Sequence, residues 1–282
     1  MAFIFEKSAI PRRSDLEDQL KQLFPHLREV RVVDPGIKDL GAIQKTVARE
    51  GAYYLEEIVP AGAKIGLSGG KTLYYLITYL EPERLTGVHL YPLTLTPILT
   101  MPGLTANAMV GMMSTKYPDA SAYNLPTIPV SSQEDYEKQM AANPEMLKIY
   151  RDIWEVDIMV LGVGYLTGPL PGFRALAQQE MGLTAADLAA KGVVAEINHT
   201  PIDANGEPML DGKDKDLARL TRRVIGVGAL ELRERAARED RYVVAVAGGL
   251  EKKEAIRACL KGRYFNVLIT DAYVAEAICS ER

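Results

Sequence analysis

The stretch YVVAVAGGLEKKEAIRACLKGRYFNVLITDAYVAEAI, residues 242–278, holds two apolar segments on either side of a segment with helical periodicity. YVVAVAG and NVLITDA are apolar nearly throughout, which is typical of parallel strands covered on both faces. A helix is predicted between them over 252–261, and a second over 272–279. A strand, a helix and a strand in this order favour a parallel sheet.

The same alternation continues over most of the 282 residues. Further strands are predicted at EVRVV (29–33), KIGLS (64–68), VHLYPL (88–93), DIMVLGV (157–163), VVAEI (193–197) and RVIGV (223–227), and further helices over 40–57, 72–80, 175–181, 185–191 and 229–237. The pattern predicts one α/β domain over residues 1–282, with a doubly wound, mostly parallel, Rossmann-like sheet. Asn205-Gly206 predicts a turn, and a hairpin that leaves the end of VVAEI.

Residues 92–150 differ from the rest because they hold seven of the 16 prolines and the Met-rich run NAMVGMMSTKY. They are interpreted as a small inserted cap or an oligomer segment. Met109, Met112 and Met113 would offer adaptable apolar surface to a second copy of the chain. The alternatives are a decorated strand–helix segment with no separate role, and methionines that fill the monomer core.

The segment KIGLSGGKTLYYLITYL, residues 64–80, ends a predicted strand in Gly69-Gly70-Lys71-Thr72 and opens a helix. A P-loop needs Gly, four residues, and then Gly-Lys-Ser/Thr, but Ile65 occupies the position of the first Gly. Nucleotide hydrolysis is therefore not expected. Glycines still allow close approach of a ligand, and a helix N-terminus attracts anions. With Ser68 as a further donor, the segment predicts an anion site; a tight turn without a ligand is the alternative.

Ligands of open parallel sheets bind beyond the carboxyl ends of the strands. The residues that follow the predicted strands are Ser68, Gly69, Gly70, Lys71, Thr72, Gly162, Gly164, Asn198, His199, Gly248, Gly249, Lys252 and Asp271. Together they predict a site for a small, anionic, hydroxylated ligand such as a sugar phosphate. GVGYLTG, residues 162–168, fails the dinucleotide fingerprint because of Thr167, and Pro169 and Pro171 interrupt the helix that should follow. No cofactor is expected.

Composition excludes several other classes. The net charge of −4 argues against broad nucleic-acid binding, which needs a basic face. The sequence has no apolar run that could span a bilayer and no signal-peptide layout, so no membrane partner is expected. The three histidines are isolated, so no metal site is expected. Cys259 and Cys279 fit reduced thiols in a cytoplasmic protein.

In the residues quoted above, the chain resembles the sugar-binding (effector) domain of SorC/DeoR-type bacterial transcriptional regulators. Residues 242–278 follow the ending of that family: strand, Gly-Gly, Lys, Ala-Ile, Leu-x-Gly, Asn-Val-Leu-x-Thr-Asp, Ala. KIGLSGGKTLYYL resembles its Ser-x-Gly-x-Thr-Leu loop, and DIMVLGVG and GVVAEINHTPIDANG resemble its next two strand segments. The resemblance extends over residues 15–280. It implies the fold shared by ribose-5-phosphate isomerase, glucosamine-6-phosphate deaminase and CoA transferases.

The resemblance also implies roles for individual residues. Ser68, Gly69, Gly70 and Thr72 would bind phosphate, and Lys252 would contact the sugar or its second phosphate. The family's Gly-Asp-Ile is replaced by residues 195–197, Ala-Glu-Ile, and its polar segment after the third strand by PLTLTPILTMPGLTAN. Its Thr-Asp-Glu ends in Ala272 here.

The helix-turn-helix of that family has no counterpart in this sequence. The first helix candidate, SDLEDQLKQLF, is followed by the strand EVRVV before the next helix begins, which is not a helix-turn-helix order. We therefore expect no DNA binding by this chain alone.

Three functions remain open at this stage. The first is a sensor domain that binds a phosphorylated sugar or polyol as a homo-oligomer. The second is a phosphosugar isomerase-like enzyme, in which Glu196, His199 and Asp271 would be the catalytic groups, because isomerisation needs a carboxylate to move a proton beside a carbonyl. The competing role of Asp271 is a helix N-cap. The third is a purely structural partner protein.

Overall fold

The computed structural model describes residues 10–280 apart from 82–85, 96–101, 118, 127, 129, 168–171 and 211–213. Its helices are α1 Ser14–Leu23, α2 Leu40–Ile58, α3 Lys71–Tyr79, α4 Ala106–Lys116, α5 Gln133–Met140, α6 Pro144–Asp152, α7 Phe173–Met181, α8 Ala185–Ala190, α9 Lys215–Thr221, α10 Ala229–Ala236, α11 Lys253–Lys261 and α12 Ala272–Ser280. Its strands are β1 Glu29–Val33, β2 Lys64–Leu67, β3 His89–Pro92, β4 Thr94–Leu95, β5 Ser121–Ala122, β6 Ile158–Leu161, β7 Gly164–Tyr165, β8 Ala195–Ile197, β9 Thr200–Ile202, β10 Ile225–Gly226, β11 Tyr242–Val246 and β12 Val267–Asp271. Three of the seven prolines within 92–150 lie outside the described residues, as do Pro169 and Pro171.

Seven strands form the central sheet in the order β1-β12-β11-β6-β2-β3-β5, and all six neighbouring pairs are parallel. The predicted α/β class with a mostly parallel sheet is confirmed. The chain runs from β2 outward to β3 and β5, and then returns to β6 on the other side of β2. The crevice between β2 and β6 is therefore the switch point at which open sheets of this kind bind ligands.

The central strands are apolar throughout because they supply two cores. Val244 and Val246 of β11 pack with α2, α3 and α4 on one face, whereas Val243 and Ala245 pack on the other face with residues of α1, α10, α11 and α12. Successive side chains of a strand point to opposite faces, so both faces need apolar residues. This double burial explains why the strand predictions from continuous apolar runs succeed for β2, β6, β11 and β12.

Two predicted strands lie outside the central sheet, which corrects the sequence analysis. VVAEI forms β8, which pairs antiparallel with β7 and β9, and RVIGV forms β10, which pairs antiparallel with β4. Both are short and packed against the core through residues such as Ile197 and Ile225. A short apolar run that is buried on both sides does not reveal the direction of its neighbour. The turn predicted at Asn205-Gly206 is confirmed, with a 3.0 Å bond from the Gly206 N–H to the Asp203 carbonyl.

The described part of residues 92–150 extends the central sheet. Helix α4 packs on β3, and β5 pairs with β3 as the edge strand. Met109 and Met113 are 1% and 0% exposed, so the expectation that they offer surface is wrong, and they fill the core between α4 and the sheet. A role of this segment as a cap or in an oligomer stays a prediction.

Candidate ligand-binding site

A cavity of about 300 Å³ opens at the carboxyl ends of β2, β6 and β11, beside the switch point. This volume is at the lower end of the range for small-molecule sites. The predicted residues that line it are Ser68, Gly69, Gly70, Lys71, Thr72, Gly162, Gly164, Glu196, Asn198, His199, Gly248 and Lys252. Among the described residues, Gly249 and Asp271 are the predicted ones that do not line it.

The turn after β2 joins two helices at one end of the cavity. Gly70 has φ of +121°, which a side chain would strain, and its N–H donates to the Leu104 carbonyl at 2.8 Å. Gly69 lies so close to the Leu104 carbonyl that a Cβ there would overlap it. The glycines of this turn therefore bring the start of α4 against the start of α3. Part of the predicted donor set is already used, because the Gly70 N–H is occupied within the chain.

The side chains of this turn are polar, and one is a cation. Ser68 and Thr72 are 5% and 6% exposed, and the Gln44 amide donates to the Thr72 hydroxyl at 2.9 Å. Lys71 is exposed, with its ammonium 5.7 Å from the centre of the Tyr75 ring. The end of the cavity formed by residues 68–72 is called the α3 pole below.

The first turns of four helices line the cavity, and the chain caps three of them. The Asp39 carboxylate accepts the Ala42 N–H of α2 at 2.8 Å, and the Thr105 hydroxyl accepts the Ala108 N–H of α4 at 3.2 Å. The Glu196 carboxylate accepts the Phe173 N–H at the start of α7. Among these four helices, α3 is the one whose first turn receives no side-chain cap from the described residues, and its N-cap is Gly70. Since a helix N-terminus carries partial positive charge, the α3 pole is the one left open to an anion.

The part of the cavity that follows β11, which β6 separates from β2, contains Lys252, Glu196 and Glu251 and is called the Lys252 pole. The Lys252 ammonium donates to the Val163 carbonyl at 2.9 Å and lies 5.5 Å from the centre of the Tyr165 ring. Burial lowers the pKa of Lys252 to about 8, against the opposing effect of the two glutamates. Burial likewise raises the pKa of Glu196 to about 7, although the Phe173 N–H favours its charged form.

Two glycines make room for the Glu196 side chain. A Cβ at Gly164 or at Gly172 would overlap its carboxylate group. Gly164 is in β7, opposite Glu196 in the antiparallel pair, and Gly172 is the N-cap of α7. The Glu196 side chain therefore packs directly against the backbone of Gly164 on one side and of Gly172 on the other.

The pair Asn198 and His199 forms the two-residue turn between β8 and β9, with φ of +43° and +61°. The Asn198 amide donates to the Val227 carbonyl at 3.1 Å, which fixes the turn against the core. The His199 Nδ1 is buried and has no hydrogen-bond partner among the described residues. Burial lowers the pKa of His199 to about 4, so its imidazole is neutral at pH 7.

Asp271 has a structural role instead of the predicted site role. It is fully buried, and its carboxylate accepts the N–H groups of Gly249 at 2.6 Å, Tyr273 at 3.0 Å and Val274 at 3.2 Å. The competing prediction of a helix N-cap is confirmed for α12. Gly249 is the partner of this carboxylate and lies outside the cavity wall.

Several lining residues are not among the predicted site residues. Three of them, Gln44 in α2, Asn107 in α4 and Arg174 in α7, do not follow a central strand. The other two, Tyr165 and Glu251, follow β6 and β11 but are not assigned a site role from the sequence. One signal was available for α4, since Thr105 precedes the run ANAMV as an N-cap residue does. Arg174 donates to the Leu166 carbonyl at 2.8 Å, and no local pattern announces that contact.

The parallel sheet with a polar cavity at its switch point defines an α/β ligand-binding domain. Residues 8–280 match the protein-family model described as "Putative sugar-binding domain", and the chain belongs to that family. It is similar to the deoxyribonucleoside regulator of Bacillus subtilis strain 168, with 25% identity over 266 residues, 90% of this chain and 76% of that protein. It is also similar to the sorbitol operon regulator of Klebsiella pneumoniae, with 23% identity over 271 residues, 93% of this chain and 79% of that protein.

Solved structures show the same fold. The full-length sorbitol operon regulator SorC from Klebsiella pneumoniae has a TM-score of 0.74 at 21% identity, covering 99% of this chain and 83% of that chain. A DeoR family transcriptional regulator from Listeria monocytogenes has a TM-score of 0.72 at 24% identity, covering 94% of this chain and 98% of that chain. The resemblance to SorC/DeoR-type regulators is confirmed, and the chain is a sugar-binding, effector-sensing domain of this type. None of the helices in the described ranges has the length and apolar character required to cross a membrane.

Proposed function

We propose that the effector is a phosphorylated sugar or polyol, with its phosphate at the α3 pole and its hydroxylated end at the Lys252 pole. The observation that carries this proposal is the helix N-terminus without a side-chain cap at Gly70, in a cavity of a sugar-binding domain. A phosphate oxygen would accept the backbone N–H groups of the first turn of α3, as anions do at helix N-termini. The hydroxyls of Ser68 and Thr72 and the Lys71 ammonium are further donors at that end.

The proposal is tested by thermal shift with matched pairs of sugars that differ by one phosphate. We expect phosphorylated members to stabilise the protein and neutral members to do so less. A ligand at about 100 times its Kd adds roughly 2.7 kcal/mol to the free energy of unfolding. A broad panel of phosphosugars that leaves the melting temperature unchanged would refute the proposal.

The two lysines around Tyr75 provide a matched pair of variants. Lys45 and Lys71 have ammonium groups 5.5 and 5.7 Å from the centre of that ring, but only Lys71 lines the cavity. The two variants are matched because each removes one charge beside the same ring. Lys71→Met should weaken phosphosugar binding, whereas Lys45→Met should leave it unchanged, because only Lys71 lines the cavity. Equal loss in both variants would point to a general effect of charge and against a phosphate at the α3 pole.

The isomerase alternative keeps one supporting observation. Glu196 lines the cavity with its pKa raised by burial to about 7, which suits a general base at neutral pH. Against it, Asp271 of the proposed catalytic set lies outside the cavity and caps α12. Incubation with phosphosugars followed by product analysis separates the two functions, since a sensor binds its ligand without turnover.

We also propose a homo-oligomer and a cytoplasmic setting. The methionines give less support than expected, but large apolar side chains remain exposed among the described residues, namely Leu23, Ile37, Leu40, Tyr74, Leu230 and Leu250. Residues 92–150 stay candidates for the oligomer segment. Sedimentation at micromolar concentration tests the oligomer, and a clean monomer would reject it.

A further inference from the structure

We infer that Glu196 is a specificity-determining residue that restricts the site to ligands with a single phosphate, with hydroxyl groups rather than a second phosphate at the Lys252 pole. This inference rests on the proposed function, because it assumes that the α3 pole takes the phosphate.

The first step is the position of the Glu196 carboxylate. It accepts the Phe173 N–H and so occupies the N-terminus of α7 with a carboxyl group of the chain itself, which is an anion above its pKa of about 7. Gly164 and Gly172 provide the space for it, since a Cβ at either position would overlap the carboxylate. The N-terminus of α7 could have bound a second phosphate, but the Glu196 carboxyl group of the chain already occupies it.

The second step is the charge around Lys252. Its ammonium is the cation of this pole, and the negative charges of Glu251 and Glu196 both act on it. Its bond to the Val163 carbonyl uses one of its three donors. A second phosphate beside Lys252 would therefore bring its two negative charges toward two carboxylates. Like charges placed together in a site disfavour the wrong ligand.

The third step is what this pole offers to a neutral end of a ligand. A carboxylate accepts hydrogen bonds at several positions, and the described contacts of Glu196 use backbone N–H groups of α7. The buried Nδ1 of His199 has no partner among the described residues, and a neutral imidazole nitrogen can pair with a hydroxyl. The Lys252 ammonium keeps donors for a hydroxyl oxygen. Acceptors and donors side by side suit the hydroxyls of a sugar chain.

The test compares three pairs of ligands in which only the second phosphate differs. The pairs are fructose 6-phosphate with fructose 1,6-bisphosphate, ribulose 5-phosphate with ribulose 1,5-bisphosphate, and glucose 6-phosphate with glucose 1,6-bisphosphate. Affinities are measured by calorimetry at pH 8, where Glu196 is mostly ionised because burial raises its pKa only to about 7. We expect the wild type to prefer the monophosphate of any pair it binds by about tenfold or more.

Glu196→Gln removes the charge but keeps a side-chain oxygen for the Phe173 N–H. It should reduce the preference for the monophosphate by about fivefold or more. Glu254→Gln is the matched control, because Glu254 is an exposed residue of α11 that pairs with Lys253 at 3.0 Å and does not line the cavity. It should keep the wild-type preference.

A bisphosphate that binds the wild type as tightly as its monophosphate partner would overturn the inference and leave the proposed function standing. This comparison needs no variant, so it decides even if Glu196→Gln does not fold. A Glu196→Gln protein that folds and keeps the full preference would also overturn the inference. If no phosphorylated sugar binds, either among these pairs or in the broad thermal-shift panel, the inference and the proposed function both fail.

Discussion

The turns Gly69-Gly70 after β2 and Gly248-Gly249 after β11 have the same sequence pattern at the same edge of the sheet, but they contact different partners. Gly69 and Gly70 lie against the Leu104 carbonyl and open α3, which starts without a side-chain cap. Gly248 and Gly249 lie against the Asp271 carboxylate, and the Gly249 N–H donates to it at 2.6 Å. The first turn leaves a helix N-terminus without a side-chain cap, whereas the second is occupied by a carboxylate of the chain.

The difference shows that a Gly-Gly pair after a parallel strand indicates that another group lies close to the backbone there. The pair does not reveal whether that group belongs to the chain or to a ligand. At Gly248 a Cβ would lie 2.6 Å from an Asp271 carboxylate oxygen and 2.8 Å from a methyl group of Val47. At Gly70 a Cβ would meet nothing within 4 Å, because that position faces open space. The four predictions below test whether the first turn serves the ligand and the second serves the fold.

The largest expected effect is on stability, in Asp271→Ala. The substitution leaves the N–H groups of Gly249, Tyr273 and Val274 without their carboxylate in a fully buried place. We expect a loss of about 3 kcal/mol in the free energy of unfolding, measured by urea titration. Ligand affinity of the folded protein should stay within about threefold of wild type, since Asp271 does not line the cavity.

The control for this substitution is Asp39→Ala, which removes an exposed N-cap with one bond to the Ala42 N–H of α2. It should cost about 1 kcal/mol. If Asp271→Ala keeps its stability and loses ligand affinity, Asp271 acts on the ligand and the comparison of the two turns is wrong.

The next effect concerns Gly69→Val. The new side chain would overlap the Leu104 carbonyl and separate the starts of α3 and α4. We expect a loss of about 2 kcal/mol in stability from this overpacking, together with loss of binding of every phosphosugar tested. Gly103→Ala is the control, because a Cβ at this exposed residue meets nothing within 4 Å. Retained binding in Gly69→Val would show that the α3 pole does not hold the phosphate.

Much of the fold follows from the sequence because parallel strands must be apolar on both faces. The predicted α2, over residues 40–57, ends one residue short of the observed Leu40–Ile58, and the helix predicted over 185–191 is observed as Ala185–Ala190. The small antiparallel sheets are not predicted, because the turn at Asn198-His199 has no glycine to mark it. Helices α5, α6 and α9 lie where the sequence analysis places no helix.

The site is predicted in part for a related reason. Residues that follow β2, β6 and β11 must meet at one edge of the sheet, and they do line the cavity. The rule fails for Asp271, which is the last residue of β12 but whose carboxylate accepts backbone N–H groups of the following segment and of Gly249. The strand-end rule also does not predict that Arg174 and Gln44 line the cavity. These residues reach the cavity through packing between segments that are far apart in the chain.

A smaller effect is expected for Lys252→Ala, which measures how much the segment after Gly248-Gly249 contributes to ligand affinity. The loss of one charge-assisted bond should weaken phosphosugar binding by about 1 to 3 kcal/mol, and unevenly among ligands that differ away from the phosphate. Lys253→Ala is the control, since this neighbouring lysine does not line the cavity. Calorimetry with several phosphosugars decides the matter. A uniform loss across ligands, or none, would show that Lys252 does not contact the sugar end.

The smallest effect is a pH dependence of the ligand Kd, which tests whether the ligand binds to the protonated form of Lys252. Burial lowers the pKa of Lys252 to about 8, while Glu251, Glu196 and Arg174 are the charged groups around it in the cavity. If the ligand needs the protonated amine, its Kd should rise about fivefold between pH 8 and pH 9. Glu196 contributes little change in this window, because its pKa is raised only to about 7 and it is mostly ionised at pH 8.

The contribution of Lys252 to the stability of the unliganded protein should change in the opposite sense between pH 8 and pH 9. An unfolded chain with the ordinary lysine pKa of 10.5 binds more protons than the native protein above pH 8, so the contribution of Lys252 to the free energy of unfolding rises with pH. The ligand is therefore lost as pH rises, while the unliganded fold gains from the same deprotonation. Lys252→Ala should abolish the rise in Kd, and the stability of the wild type relative to this variant should increase from pH 8 to pH 9. The comparison with the variant is needed because burial raises the pKa of the Cys259 thiol, which acts on stability in the opposite direction in this range. Calorimetry and urea titration at pH 8 and 9 measure the two trends. A Kd that stays constant in the wild type across this window would show that the ligand does not depend on the charge of Lys252.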